Sequence, residues 1–139
     1  MIGSELLAFL KTSSSLLALL GTNGTSAFPS IVANVEEPGL TYPQIVFEFK
    51  DLQSTECFDG SGPPYTVTLE LMVIAKTYTA ADAIAKTLQA LLDGYSGTWT
   101  DITVQACYLE DITEDQIIEP ESTAIRQYLK ELVFTVAYH

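Results

Sequence analysis

Carboxylates are the residues best placed to do chemistry in this chain, and they crowd into one stretch. Glu110, Asp111, Glu114, Asp115, Glu119 and Glu121 follow one another closely, and a second group, Asp51, Glu56 and Asp59, precedes the middle of the chain. Such a density can bind divalent ions weakly or supply an acid/base pair, but it lacks the fixed Asp/Asn/Gly/Glu spacing of a calcium loop. Glu48 and Glu70 fall inside strand-like runs and are placed to face each other across a sheet, where an outward Glu is routine. His139, the only histidine and the final residue, reads as frayed and unable to serve as a held general base. That removes Ser–His–Asp and Cys–His arrangements unless the terminus folds back into a cleft. Gly60–Ser61–Gly62 precedes a proline pair and a strand, the wrong context for a phosphate cradle. The residues therefore name no catalytic group, no cofactor and no metal site. An acidic, metal-dependent enzyme using Glu110, Asp111, Glu114 or Asp115 stands only as a minor alternative.

Charge narrows the partners. Eighteen acids face six bases, a formal charge of −12, so the surface repels phosphate and gains little from counterion release. Ordinary nucleic-acid binding is excluded on that ground. No Lys or Arg occurs between Lys86 and Arg126, so the acids there concentrate a negative field. The first reading of the acidity is solubility and a solvated face; a halophilic or a ring-lumen origin stands behind it. Cys57 and Cys107 are too few for a disulfide framework and have no metal spacing, which makes two reduced thiols the default and leaves a bridge between them open. Leu6 to Leu20 is apolar but is preceded by Glu5, interrupted by Lys11 and rich in serine, so neither a leader nor a membrane span is expected. The expectation is a soluble protein made inside a cell.

The elements that position these residues follow from hydrophobic period. Val67, Leu69, Leu71, Val73 and Ala75 recur every second residue, as on one face of a strand. From Ala81 the spacing changes, and Ala81, Ile84, Ala85, Leu88, Leu91 and Leu92 form one stripe of a helix. Thr79 with Asp82 reads as its capping box, and Gly94 as its end. Upstream, Ser4 is placed to cap a Leu-rich helix that Ser13 to Ser15 interrupt, giving one bent helix or two short ones. Short and half-buried strands are expected around Ile31–Val35 and from Ile45 to Phe49. Further strands are expected through Ile102, Val104, Ala106 and Tyr108, and from about Arg126 to Tyr138, with Tyr128, Leu132, Phe134, Val136 and Tyr138 on one face. Gly94 to Thr100 reads as a turn carrying Trp99, a core or rim anchor. The Asp51–Pro64 and Glu110–Thr123 segments read as long connections, natural places to touch partners if they order on assembly. The fold class is α+β: one domain over 1–139, with a single, mostly antiparallel sheet. Helices pack on one face, in the order α(α)-β-β-β-α-β-β.

These runs carry a resemblance. The Leu-rich N-terminal segment ends in Leu19–Leu20–Gly21 and is followed by Tyr42–Pro43–Gln44–Ile45–Val46–Phe47. Val67–Thr68–Leu69–Glu70–Leu71–Met72–Val73 then leads into the helix Ala80 to Leu92, and the chain closes on an apolar strand from Leu132 to Tyr138. Over nearly its whole length the chain resembles the tail terminator (tail completion, or head-to-tail joining) proteins of long-tailed bacteriophages. The resemblance implies a non-enzymatic virion protein, located at the head–tail junction and assembled in the host cytoplasm. It also implies a homo-oligomeric ring, commonly a hexamer, whose partners are the tail tube protein and the head connector or neck protein. The ring caps the tube, ends its polymerisation and offers a surface to the connector. DNA passes through without specific binding, and no membrane is involved. Asp51, Glu56, Asp59, Glu110, Asp111, Glu114, Asp115, Glu119 and Glu121 are then the candidate assembly or lumen surface. A neighbouring neck or tail-tube component of similar topology is the second structural reading.

Overall fold

The computed structural model describes residues 2–20, 31–33, 43–54, 65–118 and 125–139. Its elements are α1 (Ile2–Leu10), α2 (Ser14–Leu19), β1 (Ile31–Ala33), β2 (Gln44–Ser54), β3 (Tyr65–Ala75), α3 (Tyr78–Leu92), β4 (Gly97–Trp99), β5 (Ile102–Ile118) and β6 (Ile125–Tyr138). The strands form one sheet in the order β1-β2-β3-β6-β5-β4. All neighbours pair antiparallel except β1 and β2, which run parallel. The α+β single-sheet class is therefore correct.

The alternation in β3 builds the sheet's buried face. Val67, Leu69, Leu71, Val73 and Ala75 are all buried, opposite Val136, Phe134, Leu132, Lys130 and Tyr128 of β6. On the other side Ile45 and Phe47 of β2 oppose Val73 and Leu71. Onto this face α3 lays Ala81, Ile84, Ala85, Leu88 and Leu92, all buried. Each large side chain so placed contributes about 1.5–3 kcal/mol relative to exposure. Leu6, Leu10 and Leu16 of α1 and α2 complete the same core.

The serine break yields two helices. Ser13 has an extended backbone and its hydroxyl accepts from the Leu16 amide at 3.2 Å, so it caps α2 directly after α1 ends. Ser4 is not a cap, because α1 already starts at Ile2. Nor does Thr79 cap α3. Thr77 does, its hydroxyl accepting from the Ala80 amide at 3.2 Å. The reason lies in the short step out of β3: two residues after Ala75 are enough to begin the helix, and Asp82 is drawn to lysines instead. Gly94 closes the unit as expected, with φ +76° and its amide donating to the Cys107 carbonyl at 2.7 Å.

Three other expectations change. The Gly94–Thr100 turn contains β4, and Trp99 is buried against Phe9 and Tyr95, with ring centroids 5.6 and 6.1 Å away. The Asp51–Pro64 connection starts later, because β2 continues to Ser54 through an irregularity between Lys50 and Gln53 where Asp51 adopts φ +54°. Glu110–Thr123 is no loop up to Ile118. Asp111, Glu114 and Asp115 lie within β5, each paired with a residue of β6, and Glu110 stands at a shift of that register.

Candidate assembly surface

Strand β5 decides where the acids point. Its pairing with β6 shifts register between Val104 and Ala106 and again between Leu109 and Asp111. Each shift sets two residues against one, so the inward face passes from Val104 to Cys107 and Leu109, then to Ile112, Glu114 and Gln116. The simple alternation through Ala106 and Tyr108 therefore fails: Cys107 is fully buried and Tyr108 is 58% exposed. The turn after α3 holds this strand in place. Asp93 Oδ1 accepts from the Leu109 amide at 3.0 Å, beside the Gly94–Cys107 bond. Burial, with Asp93 close by, pushes the Cys107 thiol up to about 12, so it is protonated and inert at neutral pH.

The same shifts divide the acidic stretch. Glu114 points to the helix side, opposite Lys130. Asp111 and Asp115 occupy the other face, opposite Val133 and Leu129. Glu110 lies at a register shift and its carboxylate accepts from the Thr135 hydroxyl at 2.9 Å. Asp51 is carried elsewhere, next to Lys50 in a row separated from that of Asp115 by roughly 20 Å along the strands. Glu56, Asp59, Glu119 and Glu121, with Cys57, lie outside the described residues.

Two acidic arrangements result. The first covers the sheet face away from the helices. Glu48 and Glu70 sit opposite each other, in the same row as Val133 and Asp111. Lys50 bridges the pair, 3.7 Å from Glu48 and 3.0 Å from Glu70. The hydrogen bond to Glu70 and the charges of both carboxylates hold the Lys50 ammonium above its ordinary range. Val46, Met72, Glu48, Glu70 and Glu131 outline a shallow groove on this face. It mixes apolar and acidic side chains.

The second arrangement was missed in the sequence. Lys130 shares the inward parity of Tyr128, Leu132 and Phe134, and it is 7% exposed. Its Nζ donates to Asp82 Oδ1 at 2.7 Å and lies 2.8 Å from Glu114 Oε1. Asp82 also meets Lys86 at 2.9 Å. Burial alone would lower the Lys130 ammonium. The hydrogen bonds to Asp82 and Glu114 outweigh it and raise this group above the ordinary lysine range. Asp82 is correspondingly held below the usual carboxylate range, first by Lys130 and then by Lys86. One lysine thus ties the start of α3 to β5 and β6. The available signal was a lysine on the buried parity of an otherwise apolar strand, answered by Asp82 in the facing helix.

Beside this tie lies an open cleft of about 380 Å³, lined by Tyr78, Ala81, Glu114, Asp115, Gln116, Tyr128, Leu129 and Lys130. The Tyr78 and Tyr128 rings meet edge-on at 6.2 Å, and the Tyr78 hydroxyl donates to Glu114 at 3.4 Å. Past the Ala75–Tyr128 pair, β5 and β6 continue without β3 as a two-stranded arm, pairing Ile117 with Gln127 and Ile118 with Ile125.

His139 is not frayed. Its amide and carbonyl both bond to Thr103, at 3.0 and 2.9 Å, and its Nδ1 lies 2.9 Å from Gln105 Nε2. Among the described residues no three His, Cys, Asp or Glu side chains gather as a metal site, and no helix is long and apolar enough to cross a membrane.

No protein-family model matches the chain, and no curated protein does. Among solved structures its fold is similar to that of a chain in the virion of a native gene transfer agent particle. The TM-score is 0.64, with 15% sequence identity, over 96% of this chain and 92% of that one. At this identity the likeness is one of fold, and it extends over almost the whole of both chains.

Proposed function

We propose that this protein is a non-enzymatic structural component of a phage-like virion, acting as a tail terminator. In this reading the full chain is one domain that assembles into a ring, commonly a hexamer, on the end of the tail tube. The ring stops tube growth and presents a joining surface to the head connector. The observation that carries it is the near end-to-end fold likeness to a chain in a virion particle. The resemblance of the Leu-rich start, the β3–α3 unit and the terminal strand to tail terminators supplies the specific role.

The divided acids suggest how the ring works. The helix-free face, with Glu48, Glu70, Asp111, Asp115 and Glu131, would turn toward the passing DNA and repel its phosphates. Glu114 is engaged with Lys130 and contributes less to that field. Asp51, Glu56, Asp59, Glu119 and Glu121 remain candidates for contacts with tube and connector.

The decisive experiment adds the purified protein to growing tail tubes and follows their length by electron microscopy. Tubes that stop at the length present on addition support the terminator. Unchanged growth at saturating protein overturns it. Incorporation into longer tubes supports the tube-component reading instead.

A further inference from the structure

We infer that two copies of this chain pair through the open edge of β5, antiparallel and about a two-fold axis at Glu114. The inference goes beyond the terminator reading and does not rest on it. The edge of β5 away from β6 is taken first by β4, over Ile102–Val104, and then by the turn after α3. There the Gly94 amide donates to the Cys107 carbonyl, and Asp93 accepts from the Leu109 amide. The backbone groups of Cys107 and Leu109 therefore point away from β6. Their partners on β6 are Val136 and Phe134, and the alternation of β6 runs on unbroken, in one register with β3. Ile112, Glu114 and Gln116 stand opposite the next members of that series, Leu132, Lys130 and Tyr128. Their N–H and C=O groups thus also face the open edge. Among the described residues no strand meets them there. The Gln116 amide turns instead to the neighbouring Asp115 carboxylate, at 2.7 Å. From Asp111 to Ile117 the pairing has no register shift, so this edge is a regular template for another strand.

Charge selects a second copy and its register. Edge-facing residues must oppose one another to exchange bonds, so the two strands can slide only in steps of two residues. An axis at Glu114 pairs the whole run with itself. Asp111 then faces Ile117, Ile112 faces Gln116, and Thr113 faces Asp115. One step either way moves the axis to Thr113 or Asp115. The first sets Asp111 against the partner's Asp115, and the second sets Asp115 against its own copy. Like charges directly opposite destabilise a sheet. With the axis at Glu114 only that residue meets its own kind, and it carries its own counter-charge. Lys130 Nζ lies 2.8 Å from its carboxylate, and the Tyr78 hydroxyl donates to it at 3.4 Å. The lysine tie is therefore what permits this register. Thr113 gains an acceptor, and the exposed Ile112 gains a neighbour. Such a contact closes on itself, unlike the head-to-tail contacts of a ring.

Sedimentation equilibrium of the full chain from about 1 μM to 1 mM tests the pairing. A reversible doubling of mass is expected, with amide exchange at Ile112, Glu114 and Gln116 slowing as concentration rises. Gln116→Pro removes an N–H that β6 does not use, and should leave a monomer with an unchanged circular dichroism spectrum. Thr113, exposed on the helix-free face, reads the register. Thr113→Lys should tighten the dimer roughly fivefold, because each lysine meets an Asp115, and Thr113→Asp should loosen it about as much. These surface variants decide the matter should Gln116→Pro fail to fold. A single mass throughout overturns the inference, as does a doubling that folded Gln116→Pro leaves intact. Loosening by both Thr113 variants also overturns it, by moving the axis to Thr113, and indifference to both places the contact elsewhere.

Discussion

Strands β3 and β5 lie on either side of β6, yet they were built by different rules. β3 keeps one register with β6 from Tyr65 to Ala75, and its inward side chains from Val67 to Ala75 are all buried. β5 shifts register three times against the same partner and carries its acids beyond the cover of the helices. The difference separates two tasks. β3 is held between two strands under α3, where slipping by one residue would turn Leu69 and Leu71 outward. β5 pairs with β4 only over Ile102–Val104, so its outer edge tolerates extra residues, and these re-aim its side chains.

The comparison breaks most sharply along one row. Leu71, Leu132 and Ile112 are neighbours across the sheet on the same face. Leu71 is fully buried while Ile112 is 39% exposed. Leu71→Ala should cost about 3–4 kcal/mol in urea unfolding, and Ile112→Ala no more than about 1 kcal/mol. Equal losses would mean that β5 is covered as tightly as β3.

That contrast also explains what could be read in advance. The β3–α3 unit was legible because alternation and helical spacing each run unbroken for several residues, and the tertiary structure keeps both. The inward set of β6 was legible for the same reason, apart from Lys130, whose charge hid its parity. β5 was not legible beyond Val104. A register shift leaves no fixed residue type behind, and Glu110, Asp111, Glu114 and Asp115 have poor strand propensity, which backbone pairing with β6 overrides. Of the candidate surface, sequence supplied the residues but could not divide them between faces, since that division is made by the shifts themselves.

Lys130 is where the two strands' environments meet, and Lys130→Met removes the tie without emptying the space. It should cost about 1–3 kcal/mol, the worth of hydrogen bonds to charged groups. Hydrogen exchange should show the loss concentrated at Glu114–Gln116 and the start of α3. Uniform loss across β3 would contradict a local role for the tie.

Cys107 and Tyr108 test the first register shift directly. Cys107→Ser should cost about 1–3 kcal/mol by burying a hydroxyl, whereas Tyr108→Ser should stay within about 0.5 kcal/mol. Unshifted alternation predicts the reverse order. The thiol adds a pH signature. Its folded value is raised from 9.0 to about 12, so its contribution is complete below pH 9.0 and is lost as pH rises toward 12. Stability should therefore fall across that window, because the unfolded chain releases the proton first. Lys130 also has a raised value and acts in the same direction on the alkaline side. Cys107→Ala should flatten the part of the slope that begins near pH 9, and an unchanged slope would assign the loss to the other groups raised on folding, Lys50, Lys130 and Tyr138.

The smallest effect concerns β2, which borrows the β5 device once. Asp51 stands at φ +54° in the irregularity between Lys50 and Gln53, a conformation that costs most side chains about 1 kcal/mol and glycine little. Asp51→Gly relieves that strain but frees the unfolded chain, so stability should rise by no more than about 0.5 kcal/mol. Asp51→Val should lower it by about 1 kcal/mol or more, because a β-branched residue resists this backbone. Asp51→Asn keeps the turn and removes only the charge. If Asp51→Asn weakens tube capping while Asp51→Gly does no more harm than Asp51→Asn, the carboxylate is the contact and the irregularity is its mount. If Asp51→Gly alone fails, the backbone shape is what the partner reads, and β2 uses its register shift as β5 does, to aim a surface.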